Sequence, residues 1–339
     1  MNRRLFLAGS ASAILATGEG ALGAPPQSPL GICIYSYGGK IAPKDTLEFL
    51  DHCHSLGAAG IQMQLSSGDR EYADKVKARA AEYGMYYEGI VSLPKAGGGD
   101  AFGEHLEAAK TAGAAVVRSA CLSGRRYETF ADLASWKHFV DDSMASVERA
   151  VPILEKHKIH LALENHKDWT VDEMVSLLER HQSEYLGVCL DFGNNVSLLD
   201  DPDAVAKLAP YAVATHVKDI GVQPYDEGFR MSELPLGEGL IDIHKLVTAV
   251  RAARPTSHFS LEMITRDPLD IPCLTDKYWA TFPDRNGSYL ARALSRARDW
   301  SKGKQGLPTV SDRDNAALLR LTDENIKICL NYAREQFGS

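Results

Sequence analysis

The chain contains 339 residues, of which 45% are hydrophobic and 24% are charged, and its formal net charge is −8. This composition is typical of a globular protein with a large core, and the length suits a single α/β barrel. The acidic balance argues against nucleic acid as a partner, because proteins that bind it neutralise phosphates with an excess of Lys and Arg.

The first 24 residues have the features of an export signal. Arg3 and Arg4 precede the sequence LFL, a mildly apolar stretch rich in Ala and Gly follows, and ALGA ends the segment as a small-residue cleavage site. Because this pattern resembles a twin-arginine signal, we interpret residues 1–24 as a signal peptide and expect a periplasmic or otherwise exported protein. A disordered amphipathic start is the alternative. No later apolar run reaches the roughly 18 residues of a membrane span, so none is expected in the mature protein.

Strand-like and helix-like segments then alternate along the chain. The predicted strands cover residues 30–37, 60–65, 85–93, 114–122, 159–165, 186–192, 212–220 and 258–264. Eight strands separated by helices favour parallel pairing, and a closed (β/α)₈ TIM barrel is their simplest arrangement. An open doubly wound sheet is the alternative. It would favour a Gly-rich phosphate loop after an early strand, and neither GxGxxG nor GxxxxGK occurs.

The remainder of the chain departs from this alternation. From about residue 265, a stretch rich in Pro, Asp and aromatic residues predicts a long ordered loop, and two further helices are expected to pack outside the barrel. Residues 25–339 are therefore expected to form one barrel domain with a C-terminal extension. The six cysteines show no CxxC spacing, so the sequence does not require disulfides. Disulfides remain possible if the protein is exported to an oxidising compartment.

Four consecutive predicted strands end in residues that can bind a metal ion: Glu164, Asp191, His216 and Glu262. In each strand the residue two positions earlier is small, and since strand side chains alternate, the polar groups share the face that points into the barrel. Taken singly, such an acidic residue is more often a cap or a loop contact. Together they lie where barrel active sites form, and three converging carboxylates would repel one another without a cation. The sequence therefore predicts one divalent ion, with Mn²⁺, Mg²⁺ or Co²⁺ favoured and Zn²⁺ as an alternative.

Several short motifs share their order and spacing with a known group of barrels. The chain resembles the sugar phosphate isomerase/epimerase group of the xylose-isomerase-like TIM barrel superfamily over about residues 30–265. The motifs are LALENH (161–166), LDFGN (190–194), THVKD (215–219), LPLGEGLID (234–242) and SLEMI (260–264). The resemblance implies that Glu164, Asp191, His216 and Glu262 bind one metal ion. It also implies that Glu164 and Glu262 act as the catalytic acid–base pair on opposite faces of the substrate.

Further polar residues near these motifs are candidates for substrate binding. Asn165 and His166 follow the fifth strand, where a sugar's hydroxyl groups would lie, and Asn194 follows the metal-binding Asp191. Lys218 shares the inward phase of His216 and is a candidate for a hydroxyl or enolate oxygen, with a salt bridge between strands as the alternative. Glu238, within the GEG sequence at 237–239, is also a candidate for substrate binding. A Gly-rich turn without a functional role is an equally good interpretation of that stretch.

Together with the predicted metal site, the resemblance implies a metal-dependent sugar isomerase or epimerase that abstracts a proton next to a carbonyl. No basic cluster is evident at the strand ends, so an unphosphorylated sugar or keto-sugar is the expected substrate. Elimination on a keto-glycoside by the same site is an alternative. A catalytically silent sugar-binding barrel is an alternative of another class. A related branch of DNA-repair endonucleases is not favoured. Similarity to that branch would imply a trinuclear zinc site, many more histidines at the strand ends and a basic face.

Overall fold

In the computed structural model, which describes residues 26–337, eight parallel strands close into a barrel. The predicted signal segment, residues 1–24, lies outside the described residues. Sequence-adjacent strands pair throughout, and the last barrel strand closes the ring between the first and the seventh. The (β/α)₈ prediction is confirmed. The barrel strands are β1 (Leu30–Cys33), β2 (Gly60–Met63), β3 (Tyr86–Ile90), β4 (Val116–Ser119), β5 (His160–Glu164), β6 (Leu186–Asp191), β7 (Ala212–Val217) and β10 (Phe259–Leu261).

Helices surround the barrel and cover the apolar outer face of its strands. A 3₁₀ segment, Pro202–Tyr211, takes the place of a regular helix between β6 and β7. Among the described residues, no helix is long and apolar enough to cross a membrane. The α-helices are α1 (Thr46–Leu56), α2 (Arg70–Glu82), α3 (Gly99–Thr111), α4 (Arg126–Thr129), α5 (Leu133–His157), α6 (Val171–Arg180), α7 (Ile243–Ala253), α8 (Asp276–Trp279), α9 (Gly287–Ser301) and α10 (Asn315–Phe337).

The two faces of each barrel strand bury different kinds of side chain. The large apolar core lies between the strands and the helices, whereas Ala162, Cys189 and Ala214 form a separate small cluster inside the barrel. At one level of the interior, Tyr86 fills the space, and its hydroxyl donates to the carbonyl oxygen of Phe259 at 3.1 Å. A Cβ at Gly60 would lie 2.4 Å from the Tyr86 ring, so this ring requires glycine there. The expected alternation of small inward and bulky outward residues is therefore present.

A second sheet, which the sequence pattern did not predict, follows β7. The predicted strand 212–220 is interrupted, because β7 ends at Val217 and a new strand, β8 (Asp219–Tyr225), leaves the barrel. β8 forms an antiparallel hairpin with β9 (Gly228–Leu234), and β11 (Leu269–Ile271) adds a third strand. The long loop predicted from about residue 265 thus contains a strand, β11, and a short helix, α8.

The Gly-rich turn after β9 is held by Asp219. The Asp219 carboxylate accepts backbone hydrogen bonds from Gly237, Gly239 and Ile241 at 2.8–3.0 Å. A Cβ at Gly239 would lie 2.0 Å from Asp219 Oδ1, so the turn can approach this carboxylate only with glycine at that position. The GEG sequence is therefore explained by packing.

The C-terminal helix α10 packs against the beginning of the chain. Asp323 accepts hydrogen bonds from the Tyr37 hydroxyl at 2.8 Å and contacts His52 Nε2 at 3.0 Å. Ser28 Oγ donates to the Leu330 carbonyl oxygen at 3.1 Å. All six cysteines are unpaired.

Candidate metal centre and active site

The four predicted ligands converge at the carboxyl ends of neighbouring strands. Glu164 ends β5, Asp191 ends β6, His216 lies one residue before the end of β7, and Glu262 follows β10. Strand register aligns Asp191 with His216 and His216 with Ser260, so the side chains stand side by side. One ligand atom from each residue lies within 4.8 Å of the others, and all four side chains are buried.

His216 is oriented with one ring nitrogen toward the carboxylates. His216 Nδ1 lies 3.5 Å from Glu164 Oε1, 3.7 Å from Asp191 Oδ2 and 3.6 Å from Glu262 Oε2. On the other side of the ring, Nε2 lies 2.6 Å from Gln62 Oε1. An Nε2–H that donates to Gln62 leaves the lone pair of Nδ1 directed at the three carboxylates, which is the arrangement of a metal-binding histidine with an outer hydrogen-bond partner.

Two buried atoms at this point have unsatisfied bonding capacity. His216 Nδ1 has no hydrogen-bond partner, and Asp191 Oδ2 has none of good geometry although Lys218 Nζ lies 2.8 Å away. Buried polar atoms are normally satisfied, so this gap calls for an explanation such as an ion. The donor set of three carboxylates and one imidazole fits a divalent cation of hard to borderline character.

Two buried cations pair with the carboxylates. Arg118, near the end of β4, donates to Glu164 Oε2 from Nε at 2.6 Å and also from its terminal nitrogen. Lys218 contacts Asp191 and donates to Glu262. The salt bridge that was the alternative interpretation of Lys218 is therefore present. The contacts with Glu164 and Asp191 favour the ionised form that a metal ion requires.

Charge pairing shifts the acid–base behaviour of the cluster. Burial favours the neutral form of Glu164, but Arg118 and His216 outweigh it and hold the pKa of Glu164 well below its usual value. Burial likewise opposes ionisation of Asp191, and Lys218 with His216 lowers its pKa. Burial disfavours the charged form of His216, but Cys189, Glu262 and Glu164 raise its pKa well above the usual value.

Asn194 and His166 lie close to the cluster, and their substrate-binding roles stay predictions. Asn194 Nδ2 donates to Glu164 Oε1 at 3.0 Å, and its Oδ1 accepts from Lys218 Nζ at 3.4 Å. His166 lines the adjoining pocket, and its Nδ1 is buried without a hydrogen-bond partner. Burial lowers the pKa of His166 to about 3 against the opposing effect of Glu164, so its imidazole is neutral at physiological pH.

Asn165 and Glu238 do not occupy the places that were predicted for them. The Asn165 amide is fully buried and connects two loops, since it donates to the Asp191 carbonyl oxygen and Asn195 Oδ1 and accepts from Asp191 N. It therefore has no free group to offer at a rim. Glu238 is exposed on the turn held by Asp219 and is not among the residues that line the pocket.

The pocket beside the cluster has a volume of about 1080 Å³, at the upper end of the range for small-molecule sites. Glu262 lines it directly, together with Tyr35, Arg118, His166, Lys167 and Arg266. The expectation that the strand ends lack a basic cluster is wrong. Arg118, Lys167, Lys218 and Arg266 are far apart in sequence, and only the closed barrel brings them together.

Gln62, Arg118 and Lys167 are site residues that the sequence analysis did not select. A signal was available for Arg118 and Gln62, because each places a polar side chain within an apolar strand. Gln62 also extends the hydrogen bonding away from His216. Its Nε2 donates to Glu88 Oε2 at 2.9 Å, and Glu88 Oε1 lies 3.1 Å from Nδ1 of the partly exposed His258. A polar chain thus crosses the barrel interior from the candidate metal centre to the opposite end.

The family description "xylose isomerase-like TIM barrel" matches residues 50–278, which is more than half of the chain. The chain belongs to the xylose isomerase-like TIM barrel family. A D-psicose 3-epimerase solved in the presence of D-fructose covers 91% of this chain and 99% of its own, with 14% identity and a TM-score of 0.57. A family protein from Mycobacterium smegmatis in complex with magnesium covers 79% of this chain and 98% of its own, with 17% identity and a TM-score of 0.55. At these identities the likeness concerns the fold.

A curated relative is similar over part of the chain. The 3-oxo-isoapionate decarboxylase of Pectobacterium atrosepticum is 31% identical over 133 residues, which cover 38% of this chain and 48% of the relative. The match therefore spans about half of that relative's length. Within the family, this chain has the barrel and a set of residues suited to a divalent metal ion.

Proposed function

We propose that this family member is a metal-dependent sugar isomerase or epimerase that transfers a proton at the carbon next to a carbonyl group. One observation carries the proposal: His216 Nδ1 faces three buried carboxylates and has no hydrogen-bond partner of its own. The fold likeness to a ketose epimerase and the adjoining pocket support the same reaction class. The more specific assignment to the sugar phosphate isomerase/epimerase group is part of this proposal.

Glu164, Asp191, His216 and Glu262 would hold the ion. A divalent cation supplies a Lewis acid that polarises a carbonyl oxygen and so acidifies the neighbouring C–H. Mn²⁺, Mg²⁺ or Co²⁺ suit three oxygen ligands and one nitrogen ligand, with Zn²⁺ as the alternative.

Glu262 and Glu164 are proposed as the acid–base pair. Glu262 lines the pocket directly and is the better placed of the two to take a proton from a bound sugar. Glu164 is fully buried and paired with Arg118, which lines the pocket, so its contact with substrate requires this guanidinium to shift. Lys218, kept protonated by Asp191 and Glu262 despite its burial, stabilises negative charge that develops on oxygen. Neutral His166 is suited to hydrogen bonding with a hydroxyl group.

A second candidate is bond cleavage at the same site. Loss of carbon dioxide from a 3-oxo acid, or of a leaving group β to the carbanion of a keto-glycoside, passes through the same kind of enolate. The partial match to a decarboxylase favours this candidate. Release of carbon dioxide or of an alcohol, measured directly, separates cleavage from epimerisation.

Deuterium exchange tests the proton transfer. Metal-loaded protein is incubated in deuterated water with D-fructose or 5-keto-D-gluconate, and NMR follows the carbon next to the carbonyl. We expect incorporation with at least one compound, and Glu164→Gln and Glu262→Gln should slow it by about 10²-fold or more, the scale of a missing general base. Glu179→Gln, on the outer surface of α6, is the matched control. No incorporation by the metal-loaded protein, or unchanged rates in both site variants, contradicts the proposal.

We also infer that the protein is exported by the twin-arginine route. The inference rests on Arg3, Arg4 and the apolar stretch that follows them. A precursor that folds before export acquires its metal in the cytoplasm, which matters because Zn²⁺ outcompetes Mn²⁺ at most open sites.

A further inference from the structure

Lys167 is a buried ammonium group without an acidic partner. Its side chain is only 4% exposed and lines the pocket beside the metal centre. Its Nζ donates to Asn194 Oδ1. Among residues 26–337, no carboxylate lies within 4.0 Å of this nitrogen, whereas Lys218 contacts both Asp191 and Glu262.

Such an arrangement is costly unless another group completes it. Burying a charge without a partner is strongly unfavourable, so buried charges are normally paired or bound to a ligand. Burial, together with the neighbouring charges of Lys218 and Arg266, lowers the pKa of Lys167 to about 8. The group is therefore still mainly protonated at neutral pH, and it has two donor hydrogens left for a ligand.

The charges around the pocket leave room for an anion. With His216 neutral, as a metal-binding histidine must be, four carboxylates (Glu164, Asp191, Glu233, Glu262) face four cations (Arg118, Lys167, Lys218, Arg266), so these groups are balanced before the charge of the metal ion is added. Asp168 adds only part of a charge at neutral pH, because burial raises its pKa to about 7, and its oxygens already accept from the backbone of Leu122 and Trp169. A divalent cation would then leave two positive charges uncompensated.

We propose that the substrate carries a carboxylate group, separate from the reacting carbon, which Lys167 binds with Arg266 nearby. This inference rests on the proposed function and names its substrate class as a keto-sugar acid. Arg266 lines the same pocket and is already paired with Glu233 at 2.6 Å. It therefore adds a positive electrostatic potential near the substrate carboxylate, whereas Lys167 makes the direct contact. A carboxylate neutralises one of these two positive charges, and the two donor hydrogens that remain on Lys167 match its two oxygens. Proton transfer to Glu262 does not change the total charge, because the enediolate gains the negative charge that Glu262 loses. A phosphate presents three oxygens, and Arg266 is already paired with Glu233.

Binding measurements with three matched keto-sugars test the inference. The probes are 5-keto-D-gluconate, D-fructose and D-fructose 6-phosphate, titrated by calorimetry into Mn²⁺-loaded protein. We expect the carboxylate probe to bind at least about 10-fold more tightly than D-fructose, the effect of one hydrogen bond to a charged group. Lys167→Met should remove this preference, whereas Lys167→Arg should retain most of it.

Lys95→Met is the matched control, because Lys95 is an exposed lysine at the rim of the same pocket. If this variant lowers the preference as much as Lys167→Met does, a diffuse positive field is responsible and the inference fails. It also fails if the carboxylate probe binds no better than D-fructose, if the preference survives Lys167→Met, or if the phosphate probe binds best. Lys167→Gln replaces the Met variant if the latter does not fold.

The outcome can be separated from that of the proposed function. Equal deuterium exchange into D-fructose and 5-keto-D-gluconate, with equal binding, overturns the carboxylate site and leaves proton transfer intact. Selective, Lys167-dependent binding of the carboxylate probe without any exchange supports the carboxylate site and contradicts the proton-transfer reaction.

Discussion

Gln62 should control metal affinity although it does not contact the ion directly. Its Oε1 lies 2.6 Å from His216 Nε2 and fixes the tautomer that leaves Nδ1 free to bind. Gln62→Leu keeps a similar volume but leaves a buried Nε2–H without an acceptor. Loss of such an outer partner typically costs about 10- to 100-fold in metal affinity, equivalent to about 1.4–2.7 kcal/mol. The unsatisfied donor should also lower the free energy of unfolding by about 1–3 kcal/mol.

Titration of metal-free protein with Mn²⁺, followed by calorimetry, measures this change. Gln62→Glu is the informative companion variant, since it retains an acceptor for His216 and should preserve metal binding. It places a second carboxylate beside Glu88, where Gln62 Nε2 now donates at 2.9 Å, so it should lower stability instead. A folded Gln62→Leu protein that binds Mn²⁺ within twofold of the wild type would refute the argument that Gln62 orients His216.

Three further outcomes are expected. His216→Ala should weaken metal binding while circular dichroism shows an intact barrel, because the site lies at the functional end of the barrel and not in its packed core. Chelator treatment should remove activity in step with the ion, and full activity after complete chelation would contradict this. Metal-free protein should begin to lose stability as the pH falls below about 4, the usual carboxyl pKa, and the loss should continue toward the lower pKa of Glu164 in the folded state, because its contribution is complete only where the unfolded carboxyl is also ionised. Arg118→Met should flatten that acid limb in thermal melts, and an unchanged pH profile would show that another group dominates. Replacing Arg3 and Arg4 by Lys should retain the precursor in the cytoplasm on cell fractionation, and normal secretion of that variant would exclude the twin-arginine route.

Strand alternation is sufficient to predict the barrel and the position of the candidate metal centre. Glu164, Asp191, His216 and Glu262 each lie at or next to the end of a buried strand, and their common phase with small residues defines the inward face from the sequence alone. Because successive side chains on a strand point to opposite faces, the residue spacing alone shows which side chains face the barrel interior.

Other features depend on contacts between distant parts of the chain. The hairpin of β8 and β9 was missed because its apolar run continues β7, and the break depends on the Asp219 carboxylate binding a turn that lies about 20 residues later. Lys167 and Arg266 come from different loops, so their proximity follows only from closure of the barrel. Asn165 differs from its predicted role because its amide joins two loops, a use that its sequence position does not reveal.

A crystal structure of the Mn²⁺-soaked protein, with anomalous diffraction data collected at the manganese edge, would show directly whether these residues bind a metal ion. We expect one anomalous peak within about 2.5 Å of a carboxylate oxygen from each of Glu164, Asp191 and Glu262 and of His216 Nδ1. Lys218 Nζ should then lie outside the coordination sphere, still beside Asp191. Absence of a peak in this cluster at saturating Mn²⁺, or an ion bound elsewhere with His216 Nδ1 still unpaired, would contradict the assignment of a metal-dependent active site.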